Sequence, residues 1–254
     1  MKLKWMTFWI LFGLLVSACA PQSNAQSIDE TSLPVPTETM PSSRPISFTT
    51  PDGATLEGTL HGSGETAVIF SVMGNCKRGW EKMADLIGQH AIMALTYQWR
   101  GCRTSGGVDN KEIQKFVEDL RGAIRFMRDQ GAKKIILAGA SLGGVASAKL
   151  AAEVEADGLI VIASPAEIPD WGFEVKAADM NTDIPKLFIT AENDEVVAAD
   201  KSRALFDLAA EPKEWQTYPG TAHGTDIFET ESGQALQELI LNFIFSIAPR
   251  NQAA

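Results

Sequence analysis

The chain has 254 residues, enough to bury one substantial core, and its 45% apolar and 21% charged content excludes a disordered or fibrous class. A net charge of −10 excludes a nucleic-acid partner, because phosphate contacts need a surface rich in Lys and Arg. These numbers say nothing about oligomeric state.

Met1 to Lys4 is a basic start, and Trp5 to Val16 is an apolar run of 12 residues. That run is short for a membrane span, which needs about 20 residues, and has the layout of a secretory signal. Val16-Ser17-Ala18-Cys19 resembles a bacterial lipobox. The resemblance implies a signal peptide over 1–18, export, and lipid on Cys19 anchoring the protein to the cell membrane or envelope. An ordinary cleaved signal with an incidental cysteine stays open. From 19 to 45 the chain is rich in Ser, Thr and Pro without periodicity, which predicts a flexible tether.

A single domain over 46–250 is expected next. Ile46–Thr50 and Thr55–Leu60 flank Pro51-Asp52-Gly53 and read as a hairpin. Continuous apolar runs follow at Thr66–Val72, Ala91–Tyr97, Ile135–Ala138, Leu159–Ala163 and Leu187–Thr190, with a last strand at Trp215–Tyr218. Runs of that kind suit strands covered on both faces. Helices are predicted between them over Glu81–Gln89, Glu112–Gln130, Gly143–Val154, Lys201–Ala210 and Gly233–Phe245. The fold class is α/β, a doubly wound, mostly parallel sheet with helices on both faces. Sites in such sheets lie at the carboxyl ends of the strands.

At one such end, Ile135–Ala138 leads into Gly139-Ala140-Ser141-Leu142-Gly143 and then an Ala-rich helix. A strand that reverses into a helix within so few residues needs tiny side chains at 139 and 143, and it raises the Ser141 hydroxyl above the sheet. The amide of Leu142 then faces any oxyanion formed there. A serine nucleophile needs a base, and the base needs an acid to orient it. Of three histidines, His61 precedes the serine in an early hairpin and His90 sits at the opposite edge of the sheet. His223, in the glycine-flanked loop after the last strand, is the base. The loop after Leu187–Thr190 holds Glu192, Asp194 and Glu195, of which Asp194 is the preferred acid; Asp170 and Asp183 are weaker alternatives.

The order Ser141, Asp194, His223 resembles that of the α/β-hydrolase superfamily, small esterases, dienelactone-hydrolase-like and serine aminopeptidase-like proteins among them. Val72-Met73-Gly74-Asn75 and Trp99-Arg100-Gly101 with Ser105-Gly106 carry the resemblance further. It implies that the amides of Asn75 and Leu142 form the oxyanion hole. Met73 stands where such proteins commonly have histidine, which leaves the fine placement of that hole in question.

Cys76 and Cys102 follow strands expected to be neighbours, so a disulfide between the two loops is predicted, two free thiols being the alternative. Only Pro165–Ile184 intervenes where large caps are inserted, so the cap is expected to be small or absent. Trp80, Trp99 and Trp171 are available either as core or as lining of an acyl or alcohol pocket. No metal cluster, phosphate loop or dinucleotide fingerprint is evident, so no metal or cofactor is expected. These parts suit cleavage of a carboxylic ester, in a small-molecule or acyl substrate, through an acyl-serine. An amide hydrolase or peptidase using the same triad, and a non-catalytic surface-binding protein on the same fold, remain the alternatives.

Overall fold

The computed structural model describes residues 43–73, 79–102 and 109–248. The proposed signal peptide, Cys19, nearly all of the tether, Asn75, Cys76 and Ser105-Gly106 lie outside the described residues. Among the described residues no helix is long and apolar enough to cross a membrane.

Eight strands form one sheet: β1 (Ser43–Thr49), β2 (Thr55–His61), β3 (Thr66–Val72), β4 (Met93–Tyr97), β5 (Lys134–Ala140), β6 (Gly158–Ile162), β9 (Lys186–Ala191) and β10 (Lys213–Tyr218). Their spatial order is β1-β2-β4-β3-β5-β6-β9-β10. Strand β2 is antiparallel to β1 and β4, and every other pair is parallel. The remaining two, β7 (Glu167–Ile168) and β8 (Phe173–Glu174), form a separate antiparallel ribbon between β6 and β9.

Alternation along the central strands divides the core into two layers. Ile135 and Leu137 of β5 pack with α2 (Phe116–Asp129), α3 (Leu142–Leu150) and α4 (Ala199–Leu208). Ile136, Ala138 and Ala140 pack with α1 (Glu81–Gly88) and α5 (Gly233–Ile247). Because both faces are covered, the strands need apolar residues at every position, and continuous runs appear in place of alternation. The doubly wound α/β class is therefore the observed one.

Local departures have local causes. Strand β1 begins at Ser43, inside the stretch expected to be tether, because Ser43 to Pro45 pair with Thr59 to His61 on an edge that tolerates polar residues. Strand β4 begins two residues later than the apolar run, since Ala91 turns the chain at φ 55°. The helix expected from Glu112 opens as a 3₁₀ turn over Asn110–Lys115, with the Asp109 carboxylate accepting the Lys111 amide at 3.1 Å. Its α-helical part starts at Phe116.

One ionic cluster fixes the loop after β4. The Arg100 guanidinium donates twice to Asp52 in the β1–β2 turn, both at 2.7 Å, and its Nε donates to Asp119 of α2 at 2.7 Å. The Arg100 amide donates to the second Asp119 oxygen at 2.7 Å. Hydrogen bonding to Arg100 holds the Asp52 carboxyl well below the usual carboxylate range. Burial dominates at Asp119 and pushes its carboxyl up to about 6 despite both Arg100 contacts.

Candidate active site

Strand β5 ends at Ala140 and α3 begins at Leu142, so Ser141 alone makes the reversal. Its amide still pairs with β6, donating to the Ile162 carbonyl at 2.9 Å. Its carbonyl already accepts the Gly144 amide at 3.0 Å. Serving strand and helix at once holds Ser141 at φ 55°, ψ −127°, a sparsely populated region that costs about 1–3 kcal/mol. The flanking glycines are a steric necessity. A Cβ on Gly139 would lie 2.2 Å from the Gly143 carbonyl oxygen, and one on Gly143 would lie 2.0 Å from that of Ser71.

Ser164, which sequence reasoning overlooked, braces the same turn. It is fully buried, and its hydroxyl donates to the carbonyl of Ser141 at 2.8 Å and that of Ile162 at 3.0 Å. The available signal was a polar residue directly closing an apolar run. The Ser141 residue itself remains half-exposed at the N-terminus of α3, where first-turn amides have no partner within the helix. Leu142 supplies the first of those amides. Asn75, expected as its companion donor, lies outside the described residues.

The loops that carry Asp194 and His223, the expected acid and base, meet beside this turn. Strands β9 and β10 are in parallel register, Ala191 opposite Tyr218, so the loops that follow leave the sheet together. Backbone hydrogen bonds join them: Glu192 N–H to Tyr218 O at 2.8 Å, Asn193 N–H to Gly220 O at 3.0 Å and Glu195 N–H to Thr221 O at 3.4 Å. The buried Asp194 turns inward from that ladder. Its Oδ1 accepts the amides of Val196 and Val197 at 2.8 and 2.9 Å, and its Oδ2 lies 2.9 Å from His223 Nδ1. The next residue, Gly224, packs on the elbow: a Cβ there would sit 3.5 Å from the Cβ of Ala140.

An Asp194 carboxylate requires a proton on Nδ1, which leaves Nε2 of the neutral ring as an acceptor. That nitrogen is buried and makes no hydrogen bond, to the Ser141 hydroxyl or to any other described residue. Nε2 of His61 is likewise buried without a partner, so what distinguishes His223 is its place in a loop packed on the Ser141 turn.

The other candidates lie elsewhere. His61 is buried with Nδ1 2.7 Å from Asp85, and His90 packs edge-on against Phe245. Glu192, Glu195, Asp170 and Asp183 are exposed. Trp80 stacks on Phe70 in the core, and Trp99, also fully buried, donates to the Met73 carbonyl at 3.2 Å. Of the three tryptophans only Trp171 reaches the site.

Trp171 belongs to one wall of a cleft of about 1050 Å³ that includes Ser141 and Met73. Pro165, Ile168 and Val175 of the same β6–β9 segment line it too, as do residues between Val196 and Leu208, in the Asp194 loop and α4. Among the described residues the two-strand ribbon is thus a short flap beside this cleft. Among the described residues no group of three His, Cys, Asp or Glu side chains could hold a metal ion.

Comparison with known proteins gives a consistent relationship. A family model described as "Alpha/beta hydrolase family" matches residues 59–239. The Escherichia coli O157:H7 protein named "Uncharacterized protein YfhR" is 24% identical over 241 residues, covering 83% of this chain and 84% of that one. Among solved structures, the Pyrococcus furiosus esterase Pf2001 superposes with a TM-score of 0.63 at 15% identity, over 80% of this chain and 90% of its own. An alpha-beta serine hydrolase homologue from Coxiella burnetii gives 0.60 at 23% identity, over 78% and 96%.

Proposed function

The chain belongs to the alpha/beta hydrolase family, and from that premise we propose that it is a serine hydrolase cleaving carboxylic esters through an acyl-serine intermediate. The observation that carries this reading is the buried, unpartnered Nε2 of His223, oriented through Nδ1 by Asp194, in a loop packed on the strained Ser141 turn. The P. furiosus esterase, which shares the fold, supports the choice of an ester.

In this mechanism Nε2 of His223 accepts the Ser141 hydroxyl proton as Oγ adds to the substrate carbonyl. Asp194 stabilises the imidazolium, and its two backbone amide bonds hold the carboxylate in place. The Leu142 amide, with that of Asn75, receives the oxyanion. Collapse of the tetrahedral adduct expels the alkoxide, which takes the proton from Nε2. Water then enters, gives its proton to the same nitrogen and releases the acid.

The reading extends to the parts outside the described residues. Removal of 1–18, lipid on Cys19 and a tether from there to the start of β1 at Ser43 would hold the domain near a bacterial membrane. A Cys76–Cys102 disulfide would brace the segment carrying Asn75 against the Arg100 loop.

A fluorophosphonate probe tests the chemistry. It should label the folded wild type covalently at Ser141 and leave Ser141→Ala unlabelled. Failure to label folded wild type overturns the hydrolase and leaves a binding protein on a hydrolase fold.

A further inference from the structure

The cleft carries a feature that bond cleavage alone does not require. Among the described residues two large apolar side chains are exposed, Val196 at 70% and Leu208 at 37%, and both line this cleft. Trp171 and Ile168 face the same space from the flap. An apolar, solvent-facing wall around a reactive hydroxyl suits a ligand that supplies matching apolar surface. The charged residues of the lining, Glu167, Glu174, Lys176 and Lys201, balance in sign, and Lys176 lies 3.5 Å from Glu174, so they do not select a charged chain. At about 1050 Å³ the cleft is at the upper end for small-ligand sites.

Chemistry decides which half of an ester occupies it. The leaving alkoxide must take a proton from His223 Nε2, so the alcohol half departs on the histidine side. His223 is not part of the cleft lining, whereas Ser141 and Met73 are. The cleft therefore receives the half that remains on Ser141. We propose that the substrate is an ester with an extended apolar acyl chain, seated between Trp171 and the Val196–Leu208 wall, and that these residues set chain-length preference. The proposal rests on the serine-hydrolase reading above. It also explains the position of Val196 and Val197: the turn whose amides hold Asp194 carries part of the acyl wall, so chain binding bears on the segment that orients the catalytic histidine.

The test is kcat/KM for p-nitrophenyl esters from acetyl to dodecanoyl, with fluorophosphonate labelling measured in parallel. Each CH₂ that enters the cleft should raise kcat/KM about two- to fourfold, giving at least about 50-fold from acetyl to octanoyl. Leu208→Asp, which puts a charge on the wall, and Ala204→Trp, which fills the cleft, should each lower the octanoyl-to-acetyl ratio at least tenfold, folding being checked by thermal melting. A flat or falling wild-type profile, with Ser141 labelled, overturns the acyl cleft and leaves the hydrolase. A ratio within threefold of wild type in folded variants also overturns it. No labelling of folded wild type overturns both.

Discussion

Asp194→Asn separates orientation of the base from every other function of the site. The new side chain has one carbonyl oxygen and one NH₂ group for two unlike places. Oδ1 receives two backbone amides, at 2.8 and 2.9 Å, with His223 Nδ1 3.1 Å away, while Oδ2 makes the shorter contact to Nδ1 at 2.9 Å. Placing NH₂ toward Val196 and Val197 would oppose donors to donors and lose two hydrogen bonds to buried groups, each loss worth about 1–3 kcal/mol. The carbonyl oxygen therefore stays on the amides and NH₂ turns to the histidine. His223 must then accept at Nδ1 and carry its proton on Nε2, the tautomer that cannot take a proton from Ser141.

In Ser-His-Asp enzymes that exchange lowers kcat by about 10⁴-fold with the geometry intact, equal to about 5.4 kcal/mol of barrier. The same loss is expected here for a p-nitrophenyl ester, with the melting temperature nearly unchanged because the fold retains both amide bonds. Glu195→Gln, an exposed neighbour in the same loop, should stay within twofold. An Asp194→Asn protein within tenfold of wild type would refute the assignment of Asp194 as the orienting acid.

Two further outcomes follow from the packing around the site. Gly143→Ala would push a methyl to within 2.0 Å of the Ser71 backbone oxygen, so β3 and α3 must separate; a loss of about 3 kcal/mol is expected, or about 6–12 °C in melting temperature for a domain of this size, and a shift under 2 °C would refute the close approach. At Asp119 the native carboxyl titrates near 6 rather than 3.8, so between those values the folded state binds more protons than the unfolded chain. Its stabilising share is full below the unfolded value and is lost as pH rises through about 6, a swing on the order of 3 kcal/mol. Urea unfolding at pH 4 and pH 7 should show wild type gaining on Asp119→Asn as pH falls, and a difference independent of pH would sink the argument.

The parts of the fold that could be read from the chain are those whose cause is contiguous. Residues 135 to 144 state their own geometry, because a strand can enter a helix at once only where the atoms at 139 and 143 are missing. The apolar runs of β3, β5 and β6 likewise state that both faces are covered. Other features depend on residues far apart in sequence. Arg100 meets Asp119 and Asp52 only because β4 lies beside the β1–β2 hairpin and α2 crosses them, an arrangement that no local spacing encodes. Trp80, Trp99 and Trp171 are chemically alike, and their fates diverge by topology: two fall between sheet and helix, while the third rides on the flap. The proposed acyl wall was hidden for the same reason. Val196 and Leu208 are ordinary residues of a loop and a helix end, and they become conspicuous only when the sheet brings them beside Ser141, exposed among the described residues. The candidate nucleophile turn was thus legible where backbone sterics demand particular residues, and the proposed acyl wall only where the fold leaves apolar side chains uncovered. That contrast argues that Ser141 and its turn belong to the common machinery of the fold, and that chain-length preference can be altered through α4 and the flap without moving the elbow.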